Sequence, residues 1–333
     1  MIDFAKARVL VTGGAGFIGS ALVWELNRRG CERIVIADFL ATSEKWRNLA
    51  PLAFEDYLEA DDLLPRLGAG TLGRFDAVLH MGACSSTTEL DAAYLARNNY
   101  QFTKDLAAWT LSSNGRFVYA SSAATYGDGG AGMRDDASLP YLHTLRPLNM
   151  YGYSKQMFDL YAAQRGILGK IAGVKFFNIF GPNEDHKGDM RSLVNKAYGQ
   201  IAETGEIRLF KSYRPEYANG EQKRDFLYVK DAVNMTLHLA ANESANGLFN
   251  VGSGDANTWT DLANAVFAAL GRPANIRFID MPEDLRARYQ YFTQADIGRV
   301  RKSGYAAPIT PLADAVGDYV KNYLVPRVHL GDV

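Results

Sequence analysis

The stretch that most constrains the fold is a short β-branched run that leads directly into three evenly spaced glycines. Residues 8–12 (RVLVT) are typical of a buried parallel strand, and an apolar, helix-like segment over 20–29 follows the glycines. Gly13 permits a tight turn, Gly16 lets the backbone approach a pyrophosphate, and Gly19 lets the helix pack closely on the strand. Because the helix N-terminus would face phosphates with free N–H groups, this context predicts a dinucleotide site. The residues of that turn are Gly13, Gly16, Phe17, Ile18 and Gly19.

The second predicted strand ends in an acidic residue at a spacing that suits an adenosine ribose. Residues 34–37 (IVIA) precede Asp38, which lies 19 residues beyond Gly19, near the position from which a carboxylate reaches the ribose hydroxyls. Asp38 by itself favours NAD, whereas Lys45 could pair with a 2′-phosphate and would then favour NADP. A solvated loop lysine is an equal alternative for Lys45, so the sequence leaves the choice of cofactor open.

Further strands are predicted near 57–58, at 77–80, at 117–120 and, as the sixth strand, at 174–178, and a long helical segment is predicted over about 91–113. The strand at 77–80 leads into a loop of small residues, and ligands bind at the carboxyl ends of parallel strands. The cofactor contacts expected in this loop are Met81, Gly82, Ala83, Cys84 and Ser85. His80 is better explained as a core histidine than as an acid, and a small buried thiol is the ordinary explanation of Cys84.

A tyrosine and a lysine lie one helical turn apart in a helix-like segment. Positions i and i+4 share one face of a helix, so Tyr151 and Lys155 point the same way. A phenol has a pKa of about 10 and is a poor base at neutral pH, but a fixed ammonium nearby lowers that pKa. The pair is therefore a candidate proton-transfer device, although an ordinary tyrosine beside a solvated lysine would look the same. Hydroxyls that follow the strand at 117–120, Ser122 among them, can hydrogen-bond a substrate alkoxide or carbonyl.

Composition sets the class of protein. The chain has 333 residues, a net charge of −1 and 47% hydrophobic residues, which suits a large core in about two domains. The near-neutral charge gives no reason to expect nucleic acid or an anionic membrane as a partner. The two cysteines have no metal-type spacing and fit a reducing compartment. The first strand begins too early for a signal peptide, and no apolar run reaches the ~18 residues of a membrane span, so we expect a cytoplasmic protein without a metal.

The glycine turn, the serine cluster and Tyr-x-x-x-Lys together resemble an extended short-chain dehydrogenase/reductase of the nucleotide-sugar-modifying kind. Longer segments, spread over nearly the whole chain, are similar to those of ADP-L-glycero-D-manno-heptose 6-epimerases; they read GACSSTTE, NNYQ, ASSAATYG, NMYGYSK, FFNIFGPNEDHKGDM, KRDFLYV and RYQYFTQAD. The resemblance implies epimerisation at C6 of ADP-D-glycero-D-manno-heptose through a transient 6-keto intermediate, with tightly bound NADP, or NAD. It also implies a homo-oligomer and a role in lipopolysaccharide core synthesis.

The resemblance assigns the reaction to four side chains. It makes Tyr151 the acid/base, Lys155 the residue that orients the ribose and lowers the tyrosine pKa, and Ser122 the holder of the reacting oxygen. Ser121 and Thr125 are nearby alternatives to Ser122. A second lysine, in the segment His-Lys-Gly, would act opposite the tyrosine; the list of implied catalytic residues is Tyr151, Lys155, Ser122 and Lys187.

A second proton carrier is physically reasonable for an epimerase. Inverting a carbinol carbon with one cofactor requires the keto intermediate to turn over in the site, so the oxygen occupies two positions. Lys187 would then serve one position and Tyr151 the other, whereas a loop lysine is ordinarily solvated. The resemblance also implies cofactor contacts at Phe39, Asn98, Lys155, Ile179 and Lys187.

The substrate contacts implied by the resemblance lie mostly in the second half of the chain. They are Ser122, Asn178, Asp189, Lys196, Phe210, Lys211, Ser212, Tyr213, Arg224 and Tyr289. Arg224 suits a diphosphate through its planar fork of donors, although an ordinary salt bridge is the alternative. The chain departs from the family at Phe39 and Ala60, where Asn and Lys are usual, at Asp189 and Lys196, where Ser and His are usual, and through an insertion over 214–220.

These observations predict an α/β protein built on a Rossmann doubly wound parallel sheet with a smaller C-terminal α/β substrate domain. We expect the dinucleotide-binding domain over 1–179, with segments near 225–255 returning to it, and the substrate domain over 180–333. The alternatives are another nucleotide-sugar epimerase or reductase of this superfamily, such as a 4-epimerase, and a non-catalytic NAD(P) sensor.

Overall fold

The computed structural model describes residues 1–286 and 289–332 as an α/β protein. The strands are β1 (Arg8–Thr12), β2 (Arg33–Asp38), β3 (Asp56–Glu59), β4 (Ala77–His80), β5 (Arg116–Ser122), β6 (Ala172–Phe176), β7 (Asn178–Phe180), β8 (Ile207–Phe210), β9 (Lys223–Arg224), β10 (Phe226–Tyr228), β11 (Gly247–Val251), β12 (Asn257–Thr258) and β13 (Ile276–Ile279). The α-helices are α1 (Phe17–Arg28), α2 (Ala60–Gly68), α3 (Ala92–Leu95), α4 (Phe102–Ser112), α5 (Leu139–Leu142), α6 (Met150–Gln164), α7 (Leu193–Thr204), α8 (Val229–Ala241), α9 (Trp259–Ala269), α10 (Glu283–Arg286), α11 (Gly298–Lys302) and α12 (Leu312–Tyr319).

The central sheet confirms the predicted doubly wound architecture. In the described chain its strands run in the order β11-β6-β5-β4-β1-β2-β3, and all of them are parallel. Val9 and Val11 of β1 pack into one hydrophobic cluster and Leu10 into another, so apolar side chains cover both faces of the sheet. The strand order reverses between β1 and β4, where Thr12 pairs with His80, and a ligand crevice is expected at this point.

Two helical boundaries differ from the sequence-based expectation. Helix α1 begins at Phe17 rather than near Ser20, because the extended backbone of Gly16 caps it directly after the turn. The helical segment predicted over 91–113 is divided into α3, a π-helical stretch Ala96–Gln101 and α4. Widened turns of this kind are frequent at functional sites, and here the stretch carries a buried asparagine, Asn99.

The second half of the chain adds to the central sheet and also forms a smaller layer. Strand β11 lies at the edge of the central sheet beside β6, and α8 packs against α1. Strands β8 and β13 form a separate parallel pair, and α9 packs against both α7 and α12. The sequence predicts a sixth strand through Asn178, but β6 ends at Phe176 and Asn178 begins β7, which pairs with β10. The domain boundary at 179/180 stays a prediction. Within the described residues, no helix has the length and apolar character needed to cross a membrane.

Candidate active site

A cavity of about 800 Å³ opens at the carboxyl ends of the central strands. Most of the residues predicted to bind cofactor or take part in catalysis line it, together with the predicted substrate contact Asn178: Gly13, Gly16, Phe17, Ile18, Gly19, Asp38, Lys45, Met81, Gly82, Ala83, Cys84, Ser85, Ser122, Tyr151, Lys155, Asn178, Ile179 and Lys187. The other predicted residues, which do not line it, are Phe39, Asn98, Asp189, Lys196, Phe210, Lys211, Ser212, Tyr213, Arg224 and Tyr289. The glycine turn and the Tyr-x-x-x-Lys pair thus share one cavity.

The glycine turn has the backbone geometry that a dinucleotide needs. Gly13 has φ +67°, and a Cβ atom on it would lie 2.6 Å from the amide nitrogen of Gly82. A Cβ on Gly19 would lie 2.7 Å from the carbonyl carbon of Gly13, so only glycine allows the helix to approach the turn this closely. Helix α1 has no acidic residue in its first turn and no side-chain cap, which leaves its N–H groups available to an anion at the cavity wall. This cradle fits a nicotinamide dinucleotide.

Asp38 is tied into the turn and is paired with Lys45. One carboxylate oxygen accepts the amides of Ala15 and Gly16 at 2.9 and 3.1 Å. The other accepts the ammonium of Lys45 at 2.7 Å, and both side chains are largely buried. Lys45 therefore neutralises Asp38 in this structure. The ring of Phe39 is 42% exposed and lies outside the cavity, while its amide also donates to Asp38.

The loop after β4 is held by a residue that sequence reasoning did not select. Asn99 is buried, accepts the amide of Cys84 at 2.9 Å and donates to the carbonyl oxygen of Cys84 at 2.9 Å. It also donates to Ser154 Oγ on α6 at 3.0 Å, which links the cofactor loop to the helix of Tyr151. Asn98, the predicted contact, donates to Asn99 Oδ1 at 3.0 Å. The available signal was a pair of amide side chains among apolar helical neighbours.

Helix α6 carries the tyrosine and the lysine into the cavity. Asn149 caps the N-terminus of the helix, because its side-chain oxygen accepts the amide N–H of Gly152 at 2.8 Å. Tyr151 lies in this first helical turn. Burial raises the pKa of Tyr151, and a hydrogen bond with the Ser122 hydroxyl opposes that rise. The Tyr151 pKa is thus raised by desolvation, whereas the sequence predicted that Lys155 would lower it. Burial lowers the pKa of Lys155 to about 8, so the side chain is still mostly protonated at neutral pH.

The three hydroxyl candidates at the carboxyl end of β5 and in the turn after it differ in what they contact. Ser122 lines the cavity, and its Oγ accepts the amide of Ala124 at 3.1 Å. Ser121 also lines the cavity, but its Oγ donates to a buried carboxylate, Asp159, at 2.8 Å. Thr125 is fully buried and donates to the Ser122 carbonyl oxygen at 2.8 Å. These contacts favour Ser122 over both alternatives as the hydroxyl available to a substrate.

Lys187 lies on the 3-10 turn Asp185–Met190, which forms another wall of the cavity. Its ammonium is 5.1 Å from the centre of the Phe17 ring, next to the glycine turn. Burial is the main cause that lowers the pKa of Lys187, and the Lys196 ammonium lowers it further. The neighbouring His186 also lines the cavity, and burial lowers its pKa to about 4. The turn therefore presents an ammonium whose proton is held less tightly than usual.

Arg224 is a buried cation beside the cavity. Its guanidinium donates to the Lys223 carbonyl oxygen at 2.9 Å and lies 5.7 and 5.2 Å from the ring centres of Trp259 and Tyr289. Trp259, which lines the cavity and was not predicted, donates to the Tyr289 hydroxyl at 2.9 Å. No carboxylate of the described residues lies within ion-pair distance of Arg224, although only 5% of the side chain is exposed. Among the described residues, the ordinary salt bridge that was its alternative explanation is not formed.

The remaining predicted substrate residues lie around this end of the cavity or away from it. Asn178 lines the cavity and accepts Thr293 Oγ1 at 3.3 Å. Lys211 and Tyr213 both contact Asp280 Oδ1, at 3.1 and 2.9 Å, on the exposed edge of the β8–β13 pair. The other four residues are Lys196, which donates to the Asp189 carbonyl oxygen, Asp189 itself, Ser212, which donates to the Arg214 carbonyl oxygen, and Phe210, which is half-buried at the end of β8. Gln290, which was not predicted, lines the cavity and donates to the Gly127 carbonyl oxygen at 2.6 Å.

Comparisons with known proteins identify the family. Residues 9–252 match the NAD dependent epimerase/dehydratase family. The chain is 52% identical over 316 residues to the ADP-L-glycero-D-manno-heptose-6-epimerase of Nitratidesulfovibrio vulgaris (strain Hildenborough), covering 95% of this chain and 97% of the relative. It is 44% identical over 324 residues to the enzyme of that name from Fusobacterium nucleatum, covering 95% and 98%. The crystal structure of the Helicobacter pylori ADP-L-glycero-D-manno-heptose-6-epimerase has a TM-score of 0.81 at 26% identity, covering 96% and 97%. The chain belongs to the NAD dependent epimerase/dehydratase family and, within it, to the ADP-L-glycero-D-manno-heptose-6-epimerases.

Proposed function

We propose that this chain inverts C6 of ADP-D-glycero-D-manno-heptose to give the L-glycero epimer through a transient 6-keto intermediate. The observation that carries the proposal is the meeting of a dinucleotide cradle, Tyr151, Ser122 and Lys187 in one cavity. When bound, the nicotinamide cofactor supplies reversible two-electron oxidation and reduction at C6, so the reaction has no net redox change. The substrate and product differ only in configuration, and an enzyme of this kind is an isomerase.

The residues of the chain supply the proton movements. Oxidation of the C6 carbinol releases the hydroxyl proton, and reduction of the ketone from its opposite face requires a proton at a second position of the oxygen. Tyr151 takes or gives the proton at one position, with Ser122 holding the oxygen, and Lys187 does so at the other. The lowered pKa of Lys187 supports this assignment, because a neutral amine is needed in one half of the cycle. Lys155 places a positive charge beside the Tyr151 phenolate.

The nucleotide end of the substrate would lie near Arg224. A desolvated guanidinium that has no carboxylate partner in the described part of the chain is suited to a diphosphate, which accepts two parallel N–H donors. Asn178 would contact the sugar from the cavity wall, and Tyr289 with Trp259 would flank the arginine. We infer that Lys211, Ser212 and Tyr213 approach the nucleotide when substrate is bound.

We infer that NADP is the preferred cofactor and that NAD is also accepted. The support for NADP is the ammonium of Lys45. It neutralises Asp38, and it would face the 2′-phosphate of bound NADP. Ala60 stands where a second lysine would strengthen that preference, which keeps NAD as the alternative. We further propose that the protein acts as a homo-oligomer in the cytoplasm on precursors of the lipopolysaccharide core.

The decisive experiment follows C6 by NMR. The purified protein with its retained cofactor is incubated with ADP-D-glycero-β-D-manno-heptose, in parallel with Tyr151→Phe and Lys187→Met. We expect conversion to the L-glycero epimer by the wild type and a loss of rate of roughly 100- to 10,000-fold in both variants, the range expected when a proton-transfer group is removed. Conversion that persists in Lys187→Met would show that Lys187 is not the second proton carrier, and it would leave the epimerase activity itself supported. No conversion by cofactor-loaded wild type would refute the substrate, and other nucleotide-sugars, beginning with 4-epimerase substrates, would be tested next.

A further inference from the structure

A buried ion pair lies directly behind the proposed catalytic groups. Asp159 Oδ2 and Lys175 Nζ are 2.5 Å apart, and neither side chain is more than 1% exposed. Tyr119 Oη and Ser121 Oγ each donate to the Asp159 carboxylate at 2.8 Å. Lys175 also donates to Thr125 Oγ1 at 2.7 Å. The pair therefore collects three hydroxyl groups in an otherwise apolar region.

Stability alone is a poor reason for such a pair. The cost of removing two charges from water commonly equals or exceeds their attraction, and well-packed apolar residues can often replace them without loss. The three hydroxyls have a feature in common that suggests another reason. Tyr119, Ser121 and Thr125 flank Ser122 along β5 and the 3-10 turn Ala123–Tyr126. The pair thus anchors the backbone on both sides of the hydroxyl that faces the cavity.

The same carboxylate is aligned with the proton-transfer face of α6. Tyr151, Lys155 and Asp159 are spaced four residues apart and lie on one face of the helix. The titratable groups that act on Lys155 or feel its charge are Asp159 on α6, Cys84 in the loop after β4, and His80 on β4. Of these, Asp159 is the main influence that keeps Lys155 protonated against burial, whose effect lowers the Lys155 pKa to about 8.

We propose that the Asp159–Lys175 pair is a positioning element for the reaction, which fixes Ser122 against the Tyr151–Lys155 face of α6 and balances the charge of Lys155. The inference rests on the proposed function for its catalytic consequence. Its electrostatic consequence concerns the protein alone and is measurable without turnover.

The test uses single variants that should act in opposite directions on Lys155. Asp159→Asn removes a negative charge and leaves the Lys175 ammonium, so the pKa of Lys155 should fall by about one unit. Lys175→Met leaves the carboxylate, still held by Tyr119 and Ser121, and the pKa of Lys155 should rise. The double variant Asp159→Asn/Lys175→Met removes one charge of each sign, and the pKa should return toward the wild-type value. The pKa of Lys155 is measured by ¹³Cε NMR of lysine-labelled holoprotein, and the Lys155→Met variant assigns the signal.

Turnover gives the second readout. The alkaline limb of the kcat–pH profile should move with the Lys155 pKa, to lower pH in Asp159→Asn and to higher pH in Lys175→Met. The double variant should lose at least tenfold in kcat with little change in KM, because the anchors of Ser122 are gone while the substrate contacts remain. Lys175→Arg keeps a cation opposite Asp159, so it should retain most of the activity that is lost in Lys175→Met. The control is Asp318→Asn. It removes a carboxylate that lies away from the cavity and is 2.7 Å from the Lys230 ammonium, so it should change neither the Lys155 pKa nor kcat.

The outcomes separate the two proposals. Wild type that converts no ADP-heptose contradicts the proposed function, and the NMR titration still decides the electrostatic role. Single variants that move the Lys155 pKa in the same direction, or by less than the Asp318→Asn control, would overturn the positioning role. A double variant that folds and keeps its kcat within twofold of wild type would overturn it as well.

Discussion

The surroundings of Arg224 predict that its replacement has a large effect on substrate binding and a small effect on stability. The guanidinium is 5% exposed, and among the described residues it has a carbonyl oxygen and two aromatic rings as neighbours but no carboxylate. A substrate diphosphate would provide the missing anion. Removing one partner of a desolvated, hydrogen-bonded charge pair costs about 2–5 kcal/mol. Arg224→Met should therefore raise KM for ADP-heptose on the order of 100-fold, at 1.4 kcal/mol per tenfold.

The effect on the ligand-free protein should be small. Methionine removes the cost of burying an uncompensated cation, but it also removes two cation–π contacts of about 0.5–2 kcal/mol each. Because these contributions oppose one another, the free energy of unfolding should change by less than about 1 kcal/mol, and Tm by less than about 4 °C. Arg224→Lys keeps the charge but loses the planar fork, so its KM should lie between those of the wild type and Arg224→Met.

The assay combines initial rates, calorimetric titration of the holoenzyme with ADP, and thermal unfolding. The matched control is Arg208→Met, which removes an arginine that pairs with Glu206 at 2.9 Å on the surface, with 49% of its side chain exposed. It should change neither KM nor Tm. An Arg224→Met variant with a KM within threefold of wild type would refute the diphosphate assignment. A fall in Tm of more than 10 °C would show that Arg224 stabilises the fold instead.

Three further predictions concern the cofactor side of the cavity. Gly19→Ala places a Cβ 2.7 Å from the Gly13 carbonyl carbon, so less than about a tenth of the subunits should retain cofactor after purification. Retention is measured as cofactor released on denaturation. In the control Gly199→Ala the new Cβ meets nothing within 4 Å, and this variant should retain its cofactor fully. Lys45→Met leaves Asp38 without its counter-ion, so the NADP-to-NAD ratio of retained cofactor should fall at least tenfold, and an unchanged ratio would show that Lys45 does not contact the 2′-phosphate. Asn99→Ala removes three hydrogen bonds that join the Cys84 loop to Ser154, so it should lower Tm and kcat by more than Asn98→Ala does. A larger loss in Asn98→Ala than in Asn99→Ala would contradict the assignment of Asn99 as the residue that holds this loop.

The fold could be predicted largely from local patterns. The run over 8–12 and the three glycines determine a strand, a turn and a helix within a few residues of each other, and the observed α1 simply begins earlier, at Phe17. Boundaries were wrong where tertiary contacts decide them. The sixth strand was extended through Asn178, but the amide of Asn178 donates to the Asp225 carbonyl oxygen, so the chain leaves the central sheet after Phe176. No periodicity in the sequence reports such a contact.

The site divides in the same way. Gly13, Tyr151 and Lys155 are recognisable because their spacing expresses a geometry that lies within one turn or one helix. Asp159 is also on that helix, four residues beyond Lys155, yet its role depends on Lys175 in a strand that no local pattern connects to it. A buried lysine in the middle of an apolar strand is itself the detectable signal, since an unpaired ammonium could not be accommodated there. A sequence search for such a lysine together with a carboxylate at this helical position would find the pair before the structure is known.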